Sequence, residues 1–269
     1  MLNDKRIGII GCGNMGEALL KGLLGSVKKQ NILITDKQPA RARYIKRRYE
    51  VKAAHNNLEI IRKSDIIILS VKPQEISGLL SGLSERINKG HLIISIAAGI
   101  KTAYIDGLLN GVPVVRVMPN MPALIGEGIS AVSKGRYAKS GDMKRAKAIF
   151  KSVGDVVEVR EKDMDAVTAV SGSGPAYFFY IIDALLKAGV KQGLKKDVST
   201  KLALKTALGA ARLISSSGLS AEELVKKVAS KGGTTEAALA VFERRGLKNI
   251  INEAVRAAAD RSRQLSPRP

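Results

Sequence analysis

The chain of 269 residues has no tryptophan, one cysteine and two histidines, and aromatic residues make up only 4% of it. Each shortage closes a class of function. A single cysteine, Cys12, allows neither an internal disulfide nor a cysteine metal cluster. Two histidines, His55 and His91, are too few to build a metal site, so no metal is expected. Scarce aromatics leave little on which nucleobases would stack, which counts against a nucleic-acid partner. No apolar run approaches the roughly 18 residues of a membrane span. The opening Met1-Leu2-Asn3-Asp4-Lys5-Arg6 lacks the apolar core of a signal peptide. A cytoplasmic protein with neither membrane nor nucleic-acid partners is expected.

Acidic residues are also few, 24 against 45 lysines and arginines, giving a formal net charge of +21. The basic residues are spread along the chain and are densest at Arg41, Arg43, Lys46, Arg47, Arg48 and Lys52. Without a gathered tail or a recognition motif, that run reads as a solvated helix face. The field it adds favours small anionic ligands. A hydrophobic content of 45% over this length is enough for two moderate domains with cores.

What is present is a nucleotide-binding signature in its required setting. Lys5 to Ile10 (KRIGII) reads as a buried strand, followed by Gly11-Cys12-Gly13-Asn14-Met15-Gly16 and an amphipathic helix to about Leu24. In G-x-G-x-x-G the first glycine allows the tight turn, the second lets pyrophosphate approach, and the third lets helix pack on strand. A second strand, Asn31 to Thr35, ends at Asp36, where an acid would bind the adenosine ribose hydroxyls of NADH. Lys37 and Arg41 follow, and either would suit the 2′-phosphate of NADPH. Strand-like runs recur at Asp65 to Val71, His91 to Ile96, Val112 to Val117 and Gly128 to Val132, with helical segments between several of them. That alternation predicts an α/β domain with a parallel, helix-covered sheet. Ligands of such sheets bind beyond the strands' carboxyl ends, so Ser70 to Pro73, Ala97 to Gly99 and Met118 to Pro122 should share one rim.

Past Arg160 strand signals stop and alanine- and leucine-rich helical patterns take over. Ser171-Gly172-Ser173-Gly174-Pro175 should break the chain before a long helix, Ala176 to about Ala188. Asp197 to Ile214, Ala221 to Val228, Glu236 to Phe242 and Leu247 to Gln264 complete an all-helical part, and Ser266-Pro267-Arg268-Pro269 reads as a frayed tail. The expected domains are 1–162 and 163–269. So many alanines give the second a thin core of its own, which predicts an intertwined dimer. Within it, Ser230-Lys231-Gly232-Gly233-Thr234-Thr235 stands directly before a helix. Two glycines that turn N–H groups one way, joined to a helix start, make a grip for a carboxylate or phosphate. A tight connection with Thr234 or Thr235 as N-cap is the simpler alternative.

Taken together, these stretches resemble the pyrroline-5-carboxylate reductase family over essentially the whole chain. The resemblance is carried by Gly11 to Gly16, Ser70-Val71-Lys72-Pro73-Gln74, Ser95 to Ile100, Val115 to Asn120, Ser171 to Tyr177 and Val228 to Glu243. Lys231 stands where proline is usual, and Met121 where the family often has threonine. The resemblance implies a Rossmann-type domain and a helical domain that dimerises and completes the active site. It further implies reduction of L-1-pyrroline-5-carboxylate to L-proline with NADPH or NADH, by a homodimer or a larger ring of dimers; Lys37 and Arg41 against Asp36 favour NADPH, with NADH accepted too. Gly11, Cys12, Gly13, Asn14, Met15 and Gly16 would carry the pyrophosphate, and Ser70, Val71, Lys72 and Pro73 would line the nicotinamide side. Asp36 and Lys37 fall at the ribose, and Asn57 is carried over as a cofactor contact, with a helix N-cap as its alternative. Ser230, Gly232, Gly233, Thr234 and Thr235 would hold the substrate carboxylate. Thr235 is the catalytic candidate, placed to hydrogen-bond the ring nitrogen, and Asn120 would help orient the nicotinamide carboxamide or the substrate, with a plain Met-Pro-Asn turn as its alternative. Ser171 to Pro175 is expected to pack, and Lys72 to form a salt bridge or phosphate contact. Cys12 is read as a small residue with no redox role. Two alternatives remain: a reductase of the hydroxyacid type with a catalytic lysine or aspartate, and a basic nucleic-acid-binding protein.

Overall fold

A computed structural model describes Leu2 and residues 4–266; the expected frayed tail therefore lies outside the described residues except for Ser266. That serine is fixed, its hydroxyl donating to the carbonyl of Gly99. Packing divides the chain into two compact units, Met1–Ser173 with Arg256–Pro269, and Gly174–Val255.

The first unit is built on one eight-stranded sheet. Its strands are β1 (Ile7–Ile10), β2 (Ile32–Thr35), β3 (Lys52–Ala53), β4 (Ile66–Leu69), β5 (Leu92–Ser95), β6 (Val114–Met118), β7 (Gly128–Lys134) and β8 (Gly154–Glu158), in the order β3-β2-β1-β4-β5-β6-β7-β8. The helices α1 (Asn14–Leu23), α2 (Pro39–Tyr49), α3 (Asn57–Lys63), α4 (Ile76–Ser81), α5 (Thr102–Leu109) and α6 (Ser140–Phe150) lie among them in the chain. The first six strands are parallel, and the order reverses between β1 and β4, the switch point where Rossmann sheets hold dinucleotides. Strands β1, β2, β4 and β5 are buried throughout, as strands covered on both faces must be. Separate apolar clusters fill the two faces, one around Leu19, Leu20 and Phe150, the other around Ile60, Ile76 and Ile105.

The sheet is not wholly parallel, as the sequence had suggested. β7 runs antiparallel to β6, Met118 facing Ala131. The connection between them carries only a short 3-10 turn, Met121–Ile125, and a direct return of that kind delivers an antiparallel neighbour. The break expected before the long helix amounts to a bend at Ser173, with the helix itself starting at Gly174. Residues 161–191 form one helical run, with α7 (Met164–Val167), a π-helical turn at Thr168–Gly172 and α8 (Gly174–Lys191). Pro175 has no N–H to give to the preceding turn, and the wider π turn absorbs that loss, Ser173 N–H donating to Thr168 O at 2.8 Å. Gly172 serves packing, as expected: a Cβ there would lie 2.3 Å from Met118 Cε.

A buried ion pair ties the start of this run to the sheet. Arg116 on β6, with 3% of its side chain exposed, donates to Glu161 Oε1 at 3.0 Å and lies 3.9 Å from Asp165. Thr102 N–H donates to the same Glu161 oxygen at 3.1 Å, and Ser262 Oγ donates to Asp165 at 2.7 Å.

The second unit is helical: α8, α9 (Lys196–Ser217), α10 (Ala221–Val228), α11 (Thr234–Arg244) and the first half of α12 (Leu247–Leu265). Helix α9 packs along α8, where Ser199 Oγ donates to Leu186 O at 2.8 Å. Ser220 and Glu223 close a capping box on α10. Large apolar side chains nevertheless remain open, among them Phe178 at 66% and Tyr180 at 77% exposure. The run from Glu161 to Lys191 is long and apolar enough to cross a membrane by length and composition, against the expectation that no apolar run approaches that length. Asp183 and Lys187 interrupt it on paper, but they sit one helical turn apart and pair at 2.6 Å.

Candidate functional site

The glycine turn has the geometry its sequence requires. Gly11 has φ +98°, and a Cβ there would lie 2.2 Å from Ser70 O. A Cβ on Gly16 would lie 2.1 Å from Gly11 O, while one on Gly13 would meet nothing within 4 Å. First and third glycines are thus held by close packing, and the second faces the open space a pyrophosphate needs. Not every N–H in the turn is available. Gly11 N–H donates to Thr35 O at 2.9 Å and Cys12 N–H to Asp36 Oδ2 at 2.7 Å. The donors left are those of Gly13 and the first turn of α1: Asn14, Met15 and Gly16. Cys12 turns its thiol into the core, 2% exposed, where burial first and then Asp36 push its pKa up to about 12. A thiol held protonated in that way has no redox reactivity at neutral pH.

Beyond the ends of β1, β2 and β4 lies a cleft of about 510 Å³. It is lined by five of the expected cofactor residues, Gly11, Asp36, Lys37, Asn57 and Val71. The N-cap alternative for Asn57 is overturned: Asn56 caps α3, its Oδ1 accepting from Glu59 N–H at 3.0 Å, and Asn57 is the first residue of the helix. Asp36 is held as well as holding, since its second oxygen accepts from Gln38 N–H at 2.8 Å. The two expected cations fare differently. Lys37 lines the cleft but pairs with Glu75, from the turn after β4. Arg41 is turned toward the glycine turn, where it donates to Cys12 O at 2.6 Å and pairs with Glu17.

Ser70 follows β4, its N–H donating to Ile10 O at 2.8 Å, and Pro73 opens a 3-10 turn over Pro73–Glu75. Lys72 is exposed there and forms no ion pair among the described residues, so its expected salt bridge is absent. Asn120 is engaged internally rather than open: its Oδ1 accepts from Ile129 N–H at 2.9 Å, and its Nδ2 donates to Ser171 Oγ at 3.4 Å. It joins the end of β6 to the start of β7 and to the π turn. The loop Ala97 to Gly99 is covered, because a Cβ on Gly99 would lie 2.7 Å from Leu265 Cβ.

In the second unit, Gly233 is the N-cap of α11, and Thr234 and Thr235 are its first two residues. The alternative of a threonine N-cap therefore fails. Gly232 takes φ +71° and gives its N–H to Glu236 Oε2 at 2.7 Å, while Gly233 N–H donates to Ser230 O at 2.9 Å. Both glycine N–H groups are taken within the loop. What points outward are the helix-start N–H groups of Thr234 and Thr235 and two hydroxyls without a hydrogen bond among the described residues. Positive dipole end, N–H pair and hydroxyls make an anion grip narrower than the glycine pair suggested.

Comparison with known proteins is consistent across both units. A family described as pyrroline-5-carboxylate reductase dimerisation matches residues 161–265, and one described as NADP oxidoreductase coenzyme F420-dependent matches residues 6–99. A pyrroline-5-carboxylate reductase of Corynebacterium melassecola is 39% identical over 264 residues, 96% of this chain and 98% of that one. The solved pyrroline-5-carboxylate reductase of Coxiella burnetii superposes with a TM-score of 0.90 at 32% identity, covering 99% of this chain and 100% of that one. The Plasmodium falciparum pyrroline carboxylate reductase, solved with NADP bound, gives a TM-score of 0.89 at 32% identity and 98% coverage of each chain.

Proposed function

This chain belongs to the pyrroline-5-carboxylate reductase family, and from that premise we infer that it reduces L-1-pyrroline-5-carboxylate to L-proline, the last step of proline biosynthesis. The observation that carries the reading is that the likeness runs through both units, with 96% of the chain matched. The cofactor is NADPH, and NADH is also accepted. When bound, the reduced nicotinamide supplies the hydride for the C=N bond.

The residues divide the work. Gly13 to Gly16 offer their N–H groups and the positive end of α1 to the pyrophosphate. Gly11 and Cys12 shape that turn, and Asp36, Lys37 and Asn57 take the adenosine end of the dinucleotide. Ser70 to Pro73 line the nicotinamide side. Thr234 and Thr235 receive the substrate carboxylate, with Ser230, Gly232 and Gly233 forming the loop that sets the helix start. Thr235 Oγ1 hydrogen-bonds the ring nitrogen and so aligns the ring for transfer. An iminium nitrogen is already protonated or readily becomes so, and this chain needs no histidine for the step. Asn120 supports the substrate side by holding β7 and the π turn in place.

The open apolar faces of α8 and α9 fit assembly with a second copy, and a homodimer formed by the domain 163–269, or a ring of such dimers, is the arrangement proposed. The same faces account for the apolar run from Glu161 to Lys191 without a membrane. A cytoplasmic location accords with a single, buried cysteine. The test is oxidation of NADPH by the purified chain in the presence of L-1-pyrroline-5-carboxylate, with L-proline formed in equal amount. Absence of turnover with the imine, together with turnover of a 2-hydroxy acid, would assign the chain to the hydroxyacid reductases instead.

A further inference from the structure

The cleft beyond β1, β2 and β4 holds two carboxylates, Asp36 and Glu75, against one ammonium, Lys37. Arg41 does not redress that balance, because Cys12 O and Glu17 already occupy its guanidinium and only 27% of its side chain is exposed. Glu75 comes from a different element, the turn after β4, and approaches the cleft from the side opposite β2. One of its oxygens accepts from Lys72 N–H at 3.2 Å, and the other accepts from Lys37 Nζ. The Lys37 hydrogen bond holds the Glu75 carboxyl below its ordinary range, so it is charged at neutral pH.

We infer that Glu75 is a specificity-determining residue for the phosphorylated form of the dinucleotide: it positions Lys37 and adds a negative charge to the adenosine end of the cleft. The inference rests on reading this cleft as the adenosine end of the cofactor site. A 2′-phosphate brings a charge of about −1.5 to −2, whereas the ribose hydroxyl of NADH brings none. Lys37 must exchange one anion for another to bind that phosphate. The exchange is open to it, since Lys37 is 68% exposed and surface pairs of this kind are weak. Glu75 does not follow, because its backbone bond to Lys72 keeps it at the mouth. It stays as a carboxylate beside the phosphate, with Lys72, to which its side chain makes no ion pair, as the remaining cation acting on it. Lys37 therefore draws NADPH in less strongly than it would alone, and the chain is left able to use both cofactors.

The experiment measures kcat/KM for NADPH and for NADH with the full chain and compares their ratio across variants. Glu75→Gln keeps an oxygen for Lys72 N–H and removes the charge, and the NADPH-to-NADH ratio should rise by roughly 2–5-fold, the scale of one screened charge. Lys37→Ala should lower the ratio by a similar factor. In the Lys37→Ala background, Glu75→Gln should still raise the ratio, because the carboxylate repels the phosphate with or without the ammonium. A role in folding alone would move both cofactors together and leave the ratio where it was. An unchanged or lowered ratio in Glu75→Gln, or no rise in the Lys37→Ala background, overturns the inference. Displacement of bound NADPH by 2′,5′-ADP and by 5′-AMP separates this from the premise. If neither fragment displaces it from the unmodified chain, the cleft is not the adenosine site; if both do and the ratio stays fixed, only the role of Glu75 fails.

Discussion

The two units bury their apolar side chains to very different degrees. In the first, Ile7, Ile9, Ile34, Ile67 and Ile68 are wholly inaccessible, and the sheet that carries them is covered on both faces. In the second, Phe178, Phe179 and Tyr180 stand in sequence at 66, 57 and 77% exposure, and Leu202 and Leu204 on α9 are about half exposed. Full burial of one such side chain is worth about 1.5–3 kcal/mol, so a row left open forfeits more than a small domain can spare. The first unit thus carries its own core. The second leaves an apolar surface open, in the stretch that matches a dimerisation family.

The largest expected effect lies at the buried ion pair. Arg116→Ala leaves Glu161 without its guanidinium partner, and removal of one member of a buried pair costs about 3–5 kcal/mol. Urea unfolding should show that loss. A change below about 1 kcal/mol would mean that water, not Arg116, satisfies the carboxylate. Next comes the open face of the second unit. Leu204→Glu costs a lone chain little, since the site is half exposed and glutamate suits a helix. Against a second copy it places an unpaired charge in an apolar contact, which should weaken assembly by roughly 100-fold or more. Imine reduction should fall with assembly while NADPH binding persists, and an unchanged assembly would free this face of the role given to it.

Thr235→Ala is expected to lower kcat/KM for the imine by about 1.5–3 kcal/mol through loss of one charge-assisted hydrogen bond. Cofactor affinity and thermal stability should stay as they are, because Gly233, not Thr235, caps α11. Unaltered kinetics would return Thr235 to a purely structural position. The smallest effect expected is at Gly13. Gly13→Ala meets no atom within 4 Å and should fold normally, yet the methyl stands where phosphate approaches and should weaken NADPH by about tenfold. The same change at Gly11, with φ +98° and a carbonyl 2.2 Å away, should reduce stability as well as binding. Equal stabilities of the two variants would contradict the geometry of the turn.

The contrast also explains which features were legible in the sequence. β1, β2, β4 and β5 announce themselves because strands covered on both faces are unbroken apolar runs. β3 has two residues and β8 is only partly covered along its length, so neither leaves a periodic signal. Gly-Ser-Gly-Pro reads as a break because glycine and proline usually are one, and only the π turn, with Ser173 N–H bonded to Thr168 O, shows how the helical run is carried past it. The glycine turn and the Gly-Gly-Thr-Thr loop stand out in the sequence as candidate anion sites from local pattern alone. Which of their N–H groups remain free does not, since Asp36 and Glu236 occupy some of them through side chains. The partners of the charges around the cleft are hidden from the sequence for a related reason. Arg41 and Lys37 look available in sequence, but their partners, Glu17 and Glu75, lie 24 and 38 residues away.

The most direct test of the division between a self-sufficient nucleotide unit and a helical unit completed by assembly is molar mass measured along a dilution series, with imine reduction and NADPH binding followed in the same samples. Reduction should disappear as the assembly dissociates while NADPH binding by the separated chains remains; a monomer that reduces the imine at the full rate would contradict it.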